Sequence, residues 1–180
     1  MKVGTIDKEP SEKMVIGVNY ELWIQDGDYL TGGSVTASLE DNPASDQTSV
    51  LINKGGSPPD VDLIEGEAAS GSTTNLVDGS TPTVRSFAAS GVTPGKKFLN
   101  LTKLWTAIVK TVEETSDGWS EITFETQPRA VEAGDEYKFL FATIPIKAGV
   151  SGQNYRVTFK VQTFKGMEFE DEIFVNVRDL

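Results

Sequence analysis

Two residue types are missing outright: the 180-residue chain has no cysteine and no histidine. Without cysteine there is no disulfide framework, no thiolate metal ligand and no cysteine nucleophile. Without histidine the commonest general base is gone, and with it the Ser-His-Asp triad, the HExxH zinc site and the simplest pH switch. Basic charge is scarce as well. Against 27 Asp and Glu stand 16 Lys and Arg, a net charge of −11, which argues against nucleic acid or an anionic membrane as the main partner. No stretch approaches the ~18 consecutive apolar residues of a membrane span. The opening MKVGTIDKEPSEK lacks the apolar run of a signal peptide, so the expectation is a soluble chain made without secretion. The usual equipment of catalysis is missing, and the chain is expected to be no enzyme and to carry no cofactor.

What is present is unevenly spread. Residues 1–86 hold 14 acidic and 5 basic residues, and residues 87–180 hold 13 and 11. Tyr20, Trp23 and Tyr29 are the aromatics of the first part; the next is Phe87. With 38% hydrophobic residues the chain can bury a real core, built mainly by the C-terminal half plus a short N-terminal contribution.

The periodicity is that of β-strands almost throughout. In MVIGVNYELWI, Val18, Tyr20, Leu22 and Ile24 alternate with Gly17, Asn19, Glu21 and Trp23, the period of a half-buried strand. GGSVTASLE and TSVLIN read as short strands around the turn-rich EDNPASD, and strand signals resume at TVRSFAAS. TAIVKTVEE and WSEITFET flank Asp117-Gly118, a hairpin signature. A second hairpin, NYRVTFKVQTF and EFEDEIFVNV around Lys165-Gly166-Met167, closes the chain, with Tyr155, Val157, Phe159 and Val161 on one face. No segment has a convincing helical period. The class expected is all-β, an antiparallel sandwich. Residues 54–82, rich in Gly, Ser, Pro and acids, are long for a loop inside a compact domain. They read either as an arm that orders against a neighbour or as a surface loop.

Each candidate site has a plainer rival. Asp60, Asp62, Glu65 and Glu67 resemble a calcium loop, but Ile64 and Glu65 fall where the EF-hand pattern requires a ligand and a glycine. Asp26 and Asp28 flank Gly27 as turn residues. Lys96-Lys97 after Pro94-Gly95 lacks the phosphate-loop spacing. VRSFAASG and TTNLVDGS offer serine and threonine with no base to activate them. Trp23, Trp105 and Trp119 read either as a sugar-stacking platform or as core and subunit-contact residues; Trp119, directly after a turn, is the best exposed candidate.

The chain ends carry a recognisable pattern. At the start stand Lys8, Pro10 and Glu12, then Tyr20-Glu21-Leu22-Trp23, then Gly27-Asp28-Tyr29-Leu30. At the end, GQNYRVTFKVQTFKGMEFEDEIFVNVRDL reads Gly-x-x-Tyr-x-Val, Thr-x-x-Gly, then charged residues and apolar-x-Val. This resembles the small immunoglobulin-like virion proteins of tailed bacteriophages, a group of fibre–tail adaptors and minor structural proteins, over residues 8–40 and 136–180. The resemblance implies an immunoglobulin-like antiparallel β-sandwich with a long inserted middle region. Residues 1–53 would supply its N-terminal strands, 54–82 an acidic arm or loop, 83–135 an inserted β-hairpin region, and 136–180 the closing strands. It also implies a non-enzymatic structural protein of the virion, made in the host cytoplasm. Its partners would be capsid, neck or tail subunits, met in repeated copies, without metal, nucleic acid or membrane. Trp119, Asp60, Asp62, Glu65 and Glu67 are the candidate partner contacts. The alternative is a carbohydrate-binding or adhesive module built on Trp119, with Trp105 beside it.

Overall fold

Strand alternation becomes a sandwich wherever the chain can pair its strands and bury one face. The computed structural model describes residues 1–69, 75–77, 87, 90–114, 120–126 and 129–179. In order along the chain are β1 (Lys2–Lys8), β2 (Met14–Asn19), β3 (Leu30–Leu39), α1 (Thr48–Leu51), β4 (Asp62–Glu67) and β5 (Asn75–Val77). They are followed by β6 (Lys97–Asn100), β7 (Trp105–Glu114), β8 (Ser120–Phe124), β9 (Glu136–Ile146), β10 (Asn154–Thr163) and β11 (Glu168–Val177). The fold is all-β, as the period-2 pattern indicated. The chain forms two units, each assembled from separated segments: unit 1 is Met1–Asn19, Leu30–Asp62 and Ala142–Leu180, and unit 2 is Tyr20–Tyr29 and Leu63–Phe141.

In unit 1 a four-stranded sheet runs β1-β11-β10-β3. The β10–β11 hairpin pairs antiparallel over its full length, β3 joins β10 antiparallel, and β1 lies parallel to β11. Its buried face carries Val35, Tyr155, Val157, Phe159, Ile173 and Val175. The pair β2–β9 supplies the opposing layer through Ile16, Val18, Ile144 and Ile146, all buried. At ~25 cal/mol per Å2 of apolar surface removed from water, these side chains are the main favourable term holding the sheets face to face. Gly33 lets β3 approach β10 closely: a Cβ there would collide with the Lys160 carbonyl oxygen and come within 2.8 Å of Val161 Cα. The hairpin turns at Gly166, whose φ of +82° suits glycine.

Unit 2 contains the N-terminal part of β9, followed in pairing order by β6, β7, β8 and β5, with β4 also on β9. Its core is aromatic. Phe98 is fully buried and meets Trp105, Phe124, Tyr137 and Phe139 at ring-centroid distances of 4.7–5.9 Å. Most of these pairs are tilted or edge-on, the arrangements favoured by the ring quadrupole.

Three expectations change. The strand expected over MVIGVNYELWI, β2, stops at Asn19, because the N–H groups of Trp23 and Ile24 both turn back to the Tyr20 carbonyl. Leu22, expected on the buried face, is therefore 91% exposed. TSVLIN is not a strand: Asp46 accepts the Thr48 N–H at 2.9 Å and Thr48 Oγ1 accepts the Ala37 N–H at 3.0 Å. That local bonding starts the single turn α1, and Leu51 and Ile52 still reach the core. Within 54–82, the described part is built into the fold rather than held away from it. Val61, Ile64, Ala68 and Leu76 are buried, β4 pairs with β9 and β5 with β8. The β7–β8 hairpin pairs antiparallel, with its turn at 115–119 outside the described residues.

Candidate functional site

The outward face of the unit 1 sheet is ordered by register. Opposite Thr158, Lys160 and Gln162 on β10 stand Glu172, Glu170 and Glu168 on β11, while Thr36, Ser34 and Gly32 stand opposite them on β3. A row of hydroxyl, ammonium and amide side chains is thus flanked by an acidic row and a row of small residues. Lys160 pairs with Glu170 at 3.1 Å, Arg156 with Glu172 at 3.5 Å, and Gln162 donates to Glu168 at 2.9 Å. Phe174, the large apolar residue of this face, is shielded by Lys2 and Arg156, 4.4 and 5.6 Å from its ring centre. Because β3 contributes only small side chains here, a groove of about 450 Å3 opens between the sheet and residues 43–46, Ser57 and Pro58. A second, of about 670 Å3, continues over Gly33, Ser34 and Asp60. A third, of about 430 Å3, lies between Thr48–Ser49, the 53–57 loop and Lys147.

Unit 2 presents a different feature, the turn between β6 and β7. The buried Asp135 carboxylate accepts from Asn100 Nδ2 and the Glu132 N–H, both at 2.9 Å, and pairs with Lys103 Nζ at 3.0 Å. Lys103 also donates to the Ala130 carbonyl at 2.9 Å, and Asn100 Oδ1 accepts the Lys103 N–H at 2.8 Å. Burial pushes the Asp135 carboxyl upward, but the bonds from Glu132, Asn100 and Lys103 outweigh it and hold the group below the usual carboxylate range. For Lys103 burial pulls down, and the two carboxylates raise it overall. The residue this clamp displays is Leu104, at φ +56° and 86% exposed. A left-handed backbone is an outlier for a bulky side chain.

The acidic residues singled out in the sequence do not gather into one site. Asp60 is exposed, bridging in backbone register to Ser34. Asp62 is paired with Lys54 at 2.8 Å, Glu65 with Lys138 at 2.5 Å, and Glu67 is exposed. Asp60 and Asp62 belong to unit 1, Glu65 and Glu67 to unit 2. Among the described residues no group of three or more acidic side chains is placed to hold a metal. Trp119 lies outside the described residues. Trp105 is only 8% exposed and packs against Phe98 and Phe124, so it offers no sugar platform. Trp23 is half-buried, edge-on to Tyr20.

The Lys8-x-Pro10-x-Glu12 motif has a structural use. Lys8 is fully buried and its ammonium donates to the carbonyls of Glu9 and Ala148 at 2.6 and 2.5 Å, tying the end of β1 to the loop before β10. Burial lowers its pKa, with Glu12 opposing, and Glu12 itself accepts the Glu9 N–H at 3.2 Å. Lys97 holds Asp26 at 2.6 Å, while Lys96 lies over the Phe141 ring. Sequence reasoning missed Leu104 and its clamp: Asn100, Lys103 and Asp135 are ordinary polar residues until the strands bring them together.

No protein-family model matches this chain, and no curated protein sequence matches it.

Proposed function

We propose that this chain is a non-enzymatic structural protein of a bacteriophage particle, working by docking its β-built surfaces on neighbouring virion subunits in repeated copies. The resemblance of its two ends supports the reading from the sequence. From the structure, the observation that carries it is Leu104. A left-handed leucine costs roughly 1–2 kcal/mol, and exposure leaves that cost without any burial to offset it within the chain. Strain held by a rigid clamp at an exposed position is characteristic of functional surfaces, and an apolar knob on such a turn is suited to a partner's pocket. The same clamp makes the turn pre-organised, which lowers the entropic cost of association. Asp60 and Glu67, both exposed, remain candidate partner contacts in their own right. Asp62 and Glu65 are engaged within the fold.

The test is incorporation. Particles assembled in the presence of tagged wild-type chain should contain it, and Leu104→Asp should lower the copies per particle by at least about tenfold, the scale of a lost hot spot. Equal incorporation of the variant removes Leu104 from the contact; absence of the wild-type chain from purified particles overturns the virion reading.

A further inference from the structure

The third groove joins several hydrogen-bond donors in a chain that is otherwise dominated by acceptor charge. Its position is set by pairing: Ile52 bridges to Ile146, the Asn53 N–H donates to the Pro145 carbonyl at 2.8 Å, and the Lys147 N–H donates to the Leu51 carbonyl at 2.8 Å. These bonds place Lys147 beside the Gly55-Gly56-Ser57 loop, and together they line a groove of about 430 Å3 with the hydroxyl residues Thr48 and Ser49. The loop is shaped rather than slack. Gly56 sits at φ +114°, and a Cβ there would come within 2.9 Å of Pro59 Cα.

Donor capacity exceeds its use. The N–H groups of Gly55, Gly56 and Ser57 make no hydrogen bond with any described residue, and the Lys147 ammonium has no carboxylate partner among them. The other lining charges are engaged: Lys54 pairs with Asp62 at 2.8 Å, and Asp46 accepts the Thr48 N–H at 2.9 Å. Exposed successive amides of a bent loop offer an anion several donors at once, and an adjacent ammonium adds a charge-assisted bond.

We propose that this groove is a binding site for a phosphate or sulfate oxyanion, held by the Gly55–Ser57 amides and the Lys147 ammonium. The Thr48 or Ser49 hydroxyl supplies a further donor. The cavity has room for the organic group that bears the oxyanion. This site is independent of the virion reading, and either could fail without the other.

The experiment is a titration of the full chain with sodium phosphate and, separately, sodium sulfate at constant ionic strength and pH 7, followed by amide NMR, with chloride as control. Saturable shifts centred on Gly55, Gly56 and Ser57 are expected for at least one of the two anions, and the two arms distinguish them. In Lys147→Gln the dissociation constant should rise by at least about tenfold. Shifts that stay linear with salt, or that match those of chloride, overturn the site on the wild-type protein alone. Saturable binding unchanged in the variant, with its amide spectrum otherwise retained, overturns the role of Lys147 and with it the proposal.

Discussion

Leu104 and Asp135 illustrate how one residue can carry a cost or a benefit that its type does not disclose. Asparagine tolerates the left-handed region better than leucine. Leu104→Asn should therefore raise unfolding free energy by about 1 kcal/mol in a urea titration, while weakening particle incorporation under the proposed function. A destabilised variant would show that the exposed side chain packs on something in the chain itself. For Asp135 the sign follows from its lowered pKa. The folded state prefers the carboxylate more than the unfolded chain does, so the stabilisation is fully present above the unfolded value of about 3.9 and is lost as pH falls through the folded pKa. Asp135→Asn should flatten the acid limb of stability against pH. An unchanged slope in acid-unfolding curves would assign that limb to other groups.

At the scale of the element, close approach and local bonding decided what periodicity left open. Gly33 sits against the Lys160 carbonyl and Val161. Gly33→Ala must separate β3 from β10, with a cost of about 1–3 kcal/mol as in other overpacked sites, visible as a lower urea midpoint. The 154–177 hairpin was legible because both strands alternate cleanly and the turn is local. TSVLIN was not, since four residues of helix depend on Asp46 and on Thr48 accepting a bond from Ala37, a partner 11 residues away. The Gly- and Ser-rich composition of 54–82 likewise concealed Val61, Ile64, Ala68 and Leu76, four buried apolar residues spaced through it. Deleting residues 57–80 should for that reason unfold the protein rather than trim an arm. Retention of the wild-type near-ultraviolet circular dichroism by the deletion would contradict this.

Across the whole molecule, the aromatic cluster shows where the bulk of the stabilisation in unit 2 resides. Phe98→Ala should cost about 3–5 kcal/mol, read as faster amide exchange through β6, β7 and β8. A loss below about 1 kcal/mol would mean that its four ring neighbours close the cavity. The concentration of aromatics after residue 86 was visible in the sequence, and twelve of the fifteen buried residues in the cluster around Phe98, Phe87 to Phe141, come from that half. By itself the sequence determined the all-β class and the faces of the principal hairpins, because a side-chain period of two is a local property of the strand. It also determined the absence of cysteine and histidine chemistry, which is a matter of composition. Only the tertiary structure decided that residues 20–29 join 63–141 while 30–62 return to the terminal strands. It alone clamped Leu104 through Asp135 and set Lys147 beside Gly55–Ser57. Those arrangements pair residues tens of positions apart, and nothing in a local pattern encodes which distant partner a strand or a charge will meet.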